Sequence, residues 1–338
     1  MLDLNEGGII SCRPIVRKQI SSPSSSNTTR TTSERLSTMI VSVKSAGLEI
    51  QVPRHDHHPW RFSFRVILAL SICAAGCVMI LYSDWRVVVA GVFIVGLLFA
   101  HMLELAHSCI HGTAFGRRRV DRIAGVLLGL PMLVSFSDYR DNHLEHHRTL
   151  GISEKKDFFG YEFDEMTTWR SFVLHLLMVG HYRNAAKNMA RAATRWRWRT
   201  IPAAAFDSHI EHLLMVLWFL VPLIAVLFGH PQLLLIQVVP LAVAVPCHVL
   251  IELPEHWHCR PVDDPLAHTR SIAANRLAVW FTNGNNYHWE HHLCPWLPNN
   301  ALRDVQQKLH PHVVHYHPSY LDFYSQVVRS LRFTEKRA

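Results

Sequence analysis

Apolar residues in this chain gather into four long runs separated by polar stretches of very unequal length. The first, Phe62–Tyr82, is apolar apart from Arg65, which lies near one end and has a stem long enough to reach an interface. At about 1.5 Å per residue, a helix over these 21 positions covers about 30 Å, the thickness of a bilayer core. After the polar turn SDWR comes Val87–Ala106, whose ionisable groups, His101 and Glu104, sit toward its far end. Ile210–Phe228 carries Glu211 and His212 at its start. It leads through Gly229-His230-Pro231 into Leu233–Ile251, which Pro240 and Pro246 interrupt. Membrane helices accommodate such prolines where neighbours satisfy the freed carbonyls. Two shorter stretches, Ile123–Phe136 and Phe172–Val179, fall short of a crossing and read as interfacial or buried helices. Four runs of membrane length argue against a soluble helical core. The pattern predicts an all-α integral membrane protein over residues 56–338. Its four transmembrane helices form two hairpins, and a helical cap is built from 107–209 and 252–338.

Residues 1–55 have a different texture. They are Ser/Thr-rich (SSPSSSNTTRTTSERLST), lack apolar periodicity and predict a disordered N-terminal tail. The tail has no continuous apolar core of the kind a secretory signal needs, and Met39 offers an alternative start. Loop charge sets the orientation. Fifteen Lys or Arg lie between His107 and Ser208, whereas the two short turns joining paired runs hold only Arg86. Positive loops stay inside, which puts the long loop, the cap and both termini on the cytoplasmic side. The net charge of +8 raises nucleic acid as a partner, but no nucleic-acid motif accompanies it, and that class is set aside. None of the seven cysteines forms a CxxC pair, which argues against a disulfide framework and against a thiolate zinc site.

Histidine is the compositional outlier, with 25 copies, and it is patterned. Three clusters stand out: His107-Ser-Cys-Ile-His111, His143-Leu-Glu-His146-His147 and His288-Trp-Glu-His291-His292. On an α-helix, positions i and i+4 lie about 40° apart, so His107 and His111 share a face. The three imidazoles of HxxHH fall within about 100° and share one too. Glu145 and Glu290 land on the other side of their helices and make poor direct ligands. The first cluster ends the second apolar run, the second lies in the long loop and the third follows the fourth run. All three therefore meet on one side of the membrane. Eight imidazoles are too many for one ion, so two are expected, of a metal that suits imidazole: Zn, Cu, Fe or Ni.

These boxes, in this order and with a pair of spans between the last two, resemble the membrane fatty acid desaturase superfamily. The likeness is strongest in NGNNYHWEHHLCPWLP, residues 283–298, and in IELPEHWHC, residues 251–259, and it covers about residues 60–310. It implies two non-haem irons, dioxygen as co-substrate and oxidation of unactivated C–H bonds. By that resemblance His107, His111, His143, His146, His147, His288, His291 and His292 are iron ligands. Eight ligands leave two irons short of five each. The pre-box segment ELPEHW implies His256 as a ninth, with His258 pointing elsewhere. No cytochrome-b-type haem domain is appended, so the electron donor is expected to be a separate ferredoxin or cytochrome-b-type protein, for which the basic loop offers an electrostatic docking face. Glu104 on the stripe of His107, Asp157 after the second box, Glu252 four residues before His256, and Asn286 beside the third box are candidate partners of a ligand or a bound water. His175, His181, His310, His312 and His315 are expected at the surface or the interface.

The activity implied is O2-dependent desaturation of a fatty acyl or other lipid chain by two successive hydrogen abstractions, with the apolar substrate in a tunnel between cap and spans. Hydroxylation or ketolation of a lipid, carotenoid or other apolar molecule is the alternative within the superfamily, because the boxes do not separate a second abstraction from oxygen rebound. A histidine-rich metal transporter is a different class. Against it, the apolar runs hold few ionisable residues at mid-depth, where a transport path needs them.

Overall fold

The computed structural model describes residues 58–149, 158–159, 166–194, 203–259 and 267–332, together with three strands nearer the N-terminus. The chain divides into two units, 1–56 and 57–338. In the first, β1 (Ile10–Pro14), β2 (Thr38–Val43) and β3 (Leu48–Pro53) form an antiparallel sheet in that order, with Ile10 opposite Val43 and Thr38 opposite Pro53. The rest of the stretch read as a disordered tail lies outside the described residues.

The second unit is mostly helical. Its elements are α1 (Pro59–Tyr82), α2 (Trp85–Ile110), α3 (Arg118–Gly129), α4 (Phe136–Thr149), α5 (Trp169–Leu176), α6 (Val179–Thr194), α7 (Ala203–Leu227), α8 (Gln232–Gln237) and α9 (Leu241–His256). There follow β4 (Arg270–Ile272), α10 (Arg276–Phe281), α11 (His288–Leu293), α12 (Asn299–Leu309), β5 (His315–His317) and α13 (Tyr320–Ser330). Four segments are long and apolar enough to cross a membrane: α1, α2, most of α7, and α8 with α9 together. This is a membrane protein.

Each apolar run predicted from sequence lies within or beside one of these segments, and the helices extend further. α2 is capped by Asp84, whose carboxylate accepts from the Arg86 amide at 2.9 Å. It continues past Ala106 to Ile110 because no breaker intervenes before Gly112, where φ is +68°. His107 therefore lies inside the helix rather than in the cap that follows it. The early part of α2 exposes Val89 and Phe93, while every residue from Leu98 to Ile110 is buried. Small residues allow this sheathing. A Cβ on Gly91 would lie 2.8 Å from the Gly76 carbonyl of α1, and one on Gly96 would lie 2.6 Å from the Pro240 carbonyl between α8 and α9. Such close backbone approach is how membrane helices pack. Arg65 does not reach for an interface: its guanidinium donates to Asn283 Oδ1 at 2.8 Å and ties α1 to the turn before α11.

The shorter apolar stretch around 123–136 forms α3 and a 3-10 turn, and the chain then bends by 101° into α4. Leu133 takes the left-handed conformation at φ 58° in the bend, and Gly125 leaves room for the Phe136 ring, which a Cβ there would meet at 2.2 Å. This bend lays the second histidine box across the end of α2. At the other end of the unit, β4 pairs in parallel with β5, and Leu253, Trp257, Ile272, Phe323 and Val327 form a small core beneath α11.

Candidate metal centre

The three boxes come from the end of α2, the C-terminal half of α4 and the short helix α11, and they meet. Ring nitrogens of His107, His111, His143 and His291 form one group, and those of His146, His256, His288 and His292 a second, each with its atoms within 4.8 Å of one another. His147 stands between them. Its Nε2 lies 3.0 Å from that of His143 and 3.1 Å from that of His291, and its ring stacks on His292 at 4.2 Å between centroids. All nine sequence-predicted histidines thus converge. His258, two residues beyond His256, is exposed, with φ at +52°.

The spacing of these nitrogens suits a metal ion. Nε2 atoms approach at 2.9 Å for His107–His143 and His143–His111, at 3.0 Å for His288–His256 and His292–His288, and at 3.1 Å for His146–His256. Two nitrogens bound about 2.1 Å from one ion at right angles lie about 3.0 Å apart. Two outer nitrogens face hydrogen-bond acceptors, and a third lies beside a carboxylate. His256 Nδ1 donates to the His268 carbonyl at 3.0 Å, His107 Nδ1 faces Asn285 Oδ1 at 3.2 Å, and His288 Nδ1 lies 3.2 Å from the Glu255 carboxylate. With the proton on Nδ1, the Nε2 lone pairs point at one another, an arrangement that a cation relieves. Burial, reinforced by the neighbouring imidazoles, pushes His111, His143, His147, His288, His291 and His292 well below the ordinary histidine range, and His146 to about 4. Neutral imidazole is the form that ligates.

Around the two groups the structure distributes the other candidates unevenly. Glu104 is fully buried. Its carboxylate accepts from Asn285 Nδ2 at 2.6 Å and lies 3.2 Å from His248 Nδ1, whose Nε2 is 4.0 Å from Glu252. Asn285 carries the link onward to His107, so Glu104 reaches that ring through an intermediary. Asn286 turns the other way, donating to the Ile272 carbonyl at 2.7 Å and accepting from Thr282 Oγ1 at 3.1 Å, which fastens the third box to β4. Asp157 lies outside the described residues. Glu145 pairs with Arg148, and Glu290 accepts from Ser271 Oγ at 2.9 Å, away from the ring nitrogens. His181 departs from the surface position expected for it. It is buried against Phe158 and Phe159.

Asn285, His248, Glu255 and His268 escaped the sequence reading. For Asn285 the only signal was its place in NGNN, one residue from the asparagine singled out; for His248 and Glu255, it was their place in the pre-box helix. A space of about 10 Å³ beside both groups, lined by Tyr139, Glu252 and Glu255 as well as by histidines, has room for about one water.

The chain belongs to the fatty acid desaturase family, whose profile matches residues 83–324. Members of this family are oxidoreductases that use iron and act on lipids. Among known proteins the chain is 33% identical over 111 residues to the sphingolipid delta(4)-desaturase DES1 of Gallus gallus, covering 29% of this chain and 33% of that protein. It is 34% identical over 102 residues to a sphingolipid delta(4)-desaturase DES1-like protein of Arabidopsis thaliana, covering 28% of this chain and 29% of the relative. A temperature-sensitive sn-2 acyl-lipid omega-3 desaturase (ferredoxin), also of Arabidopsis thaliana, is 26% identical over 115 residues, 33% of this chain and 26% of the relative. The chain spans about a third of the length of the sphingolipid desaturases it matches.

Proposed function

We propose that this protein is a multi-pass membrane enzyme with two non-haem irons that introduces a double bond into an acyl or related lipid chain. The observation that carries the reading is the pair of adjacent all-imidazole groups, with Nε2 atoms turned toward one another. His107, His111, His143, His147 and His291 would hold one iron, and His146, His256, His288 and His292 the other. Bound iron supplies dioxygen activation, and the balance is one O2, two electrons and two protons consumed for two water molecules and one alkene.

The chain's own groups set the conditions for that chemistry. Asn285 holds the ring plane of His107 and the His268 carbonyl that of His256, and the Glu255 carboxylate lies beside His288 Nδ1. The buried end of α2 and the packing of α11 exclude bulk water from the ligands. Glu252 and Glu255 put carboxylates on the small space beside both groups, where they can hold a proton for a water produced there. The spans form two hairpins that enter from the cytoplasm, with the histidines, the cap and both termini on that side, as the basic loop indicates. The electrons come from a separate ferredoxin or cytochrome-b-type donor. The reading is supported by the family, by relatives named as sphingolipid and acyl-lipid desaturases, and by the donor set.

Lipid mass spectrometry of cells with and without the protein, supplied with a donor, tests it. The expected product is two mass units lighter than its precursor and absent with His143→Ala. A sole product sixteen units heavier assigns a hydroxylase, and stoichiometric zinc with no iron in active protein overturns the di-iron reading.

A further inference from the structure

Beside the apolar contact that Ala185 and Met189 make with Met215 of α7, α6 carries a polar stripe. His181, Asn184, Asn188 and Arg191 recur at helical spacing along it, with Lys187 at its flank. With Asp138 of α4 they line a cavity of about 230 Å³.

Its base is set for a ligand. His181, which lines the cavity, is 5% exposed, and its buried Nε2 has no hydrogen-bond partner. Burial pushes this histidine down to about 4, against the raising effect of the Met132 and Leu133 backbone, so the ring is neutral and offers one nitrogen as an acceptor. A buried acceptor left without a donor costs about 1–3 kcal/mol, and a ligand hydroxyl or ammonium removes that cost. The half-buried Asp138 adds a second acceptor. At the rim the exposed Lys187 and Arg191 supply cationic donors, and Asn184 and Asn188 supply amides.

Depth identifies what kind of molecule brings such groups. Just before the polar stripe begins, Leu174, Leu177 and Val179 are exposed, and on α7 Leu214 and Leu217 are exposed within two turns of His212 on the cavity wall. On the other side the Arg122–Asp207 ion pair, at 2.6 Å, is exposed. The mouth therefore stands where apolar surface gives way to charge, the depth at which lipid headgroups lie.

We propose that this cavity seats the polar headgroup of the lipid on which the metal centre acts, a headgroup with both a phosphate and a hydroxyl or ammonium donor. The proposal rests on the desaturase reading above. Lys187 and Arg191 take the phosphate oxygens, the stronger charge-assisted bonds, while His181 Nε2 and Asp138 take the donor. Phe158 lines the cavity. Its ring is 5.1 Å from that of Tyr139, which is 5.7 Å from that of His143, so two aromatic contacts separate headgroup and metal ligands.

The test is calorimetric binding to the full chain in dodecyl maltoside micelles, iron-loaded and iron-stripped. The probes are dioctanoyl phosphatidylglycerol, dioctanoylglycerol and inorganic phosphate. Phosphatidylglycerol is expected to bind about tenfold or more tightly than dioctanoylglycerol, in both iron states. Lys187→Gln with Arg191→Gln should remove that preference. His181→Phe, which fills the base, should weaken the lipid independently, and Arg183→Gln on the exposed opposite face should change nothing. Equal binding of the two lipids, or undiminished preference in the double variant, overturns the proposal. Inorganic phosphate binding as tightly as the phospholipid overturns the lipid assignment in favour of a free anion. Because binding is read without turnover, failure here leaves the desaturase reading intact, and absence of a desaturated product leaves this result intact.

Discussion

His256 and His258 are two residues apart and meet opposite surroundings. One has Nε2 neighbours at 3.0 and 3.1 Å, while the other is exposed at a positive φ. His256→Ala should lose iron and turnover, and His258→Ala should keep both; iron retained at full stoichiometry in the first variant removes the ninth ligand. Asn285 joins Glu104 to His107, and groups that orient a ligand in this way typically carry about 10–100-fold of metal affinity or activity. Asn285→Ala is expected to fall in that range, read as iron retained against a graded chelator, while Asn286→Ala, whose contacts are to Ile272 and Thr282, should chiefly lower thermal stability. The box histidines were legible because ligands one helical turn apart leave a mark within a few residues. Asn285 was not, because its partners Glu104 and His107 are more than 170 positions away in the chain.

At the scale of elements, hydropathy located the four helices long and apolar enough to cross a membrane, because a bilayer imposes length and composition on whatever crosses it. The bend between α3 and α4 left no such trace. It depends on a left-handed Leu133 and on Phe136 occupying the space a Gly125 side chain would fill, and neither position carries the asparagine or the glycine pair that usually announces a turn. The break between α8 and α9 was half-legible, through Pro240. Close helix approach yields a measurable expectation. Gly96→Ala puts a Cβ 2.6 Å from the Pro240 carbonyl and should cost about 1–3 kcal/mol through forced separation of α2 from α9, seen as a lower melting temperature in detergent. Gly180→Ala, with nothing within 4 Å, should be neutral or stabilise α6 by up to about 1 kcal/mol.

For the molecule as a whole, the proposed topology puts the basic loop and the histidine groups on one side of the membrane. A cysteine introduced at Gly229, between the last two spans, should label with an impermeant reagent from outside sealed cells, and one at Lys187 should not; the reverse pattern would invert the topology. The sequence conveyed which segments cross but not how the polar segments fold between them, since that packing depends on contacts such as Arg65–Asn283 and β4–β5, whose partners are remote in the chain. Each histidine group also draws on widely separated segments: α2, α4 and α11 for one, and α4, α9 and α11 for the other. Neither is complete in a chain that lacks α11. On the proposed reading, a chain emerging during synthesis has no final metal coordination until α11 reaches the ends of α2 and α9, so metal binding is the last step and its free energy locks the assembled domain.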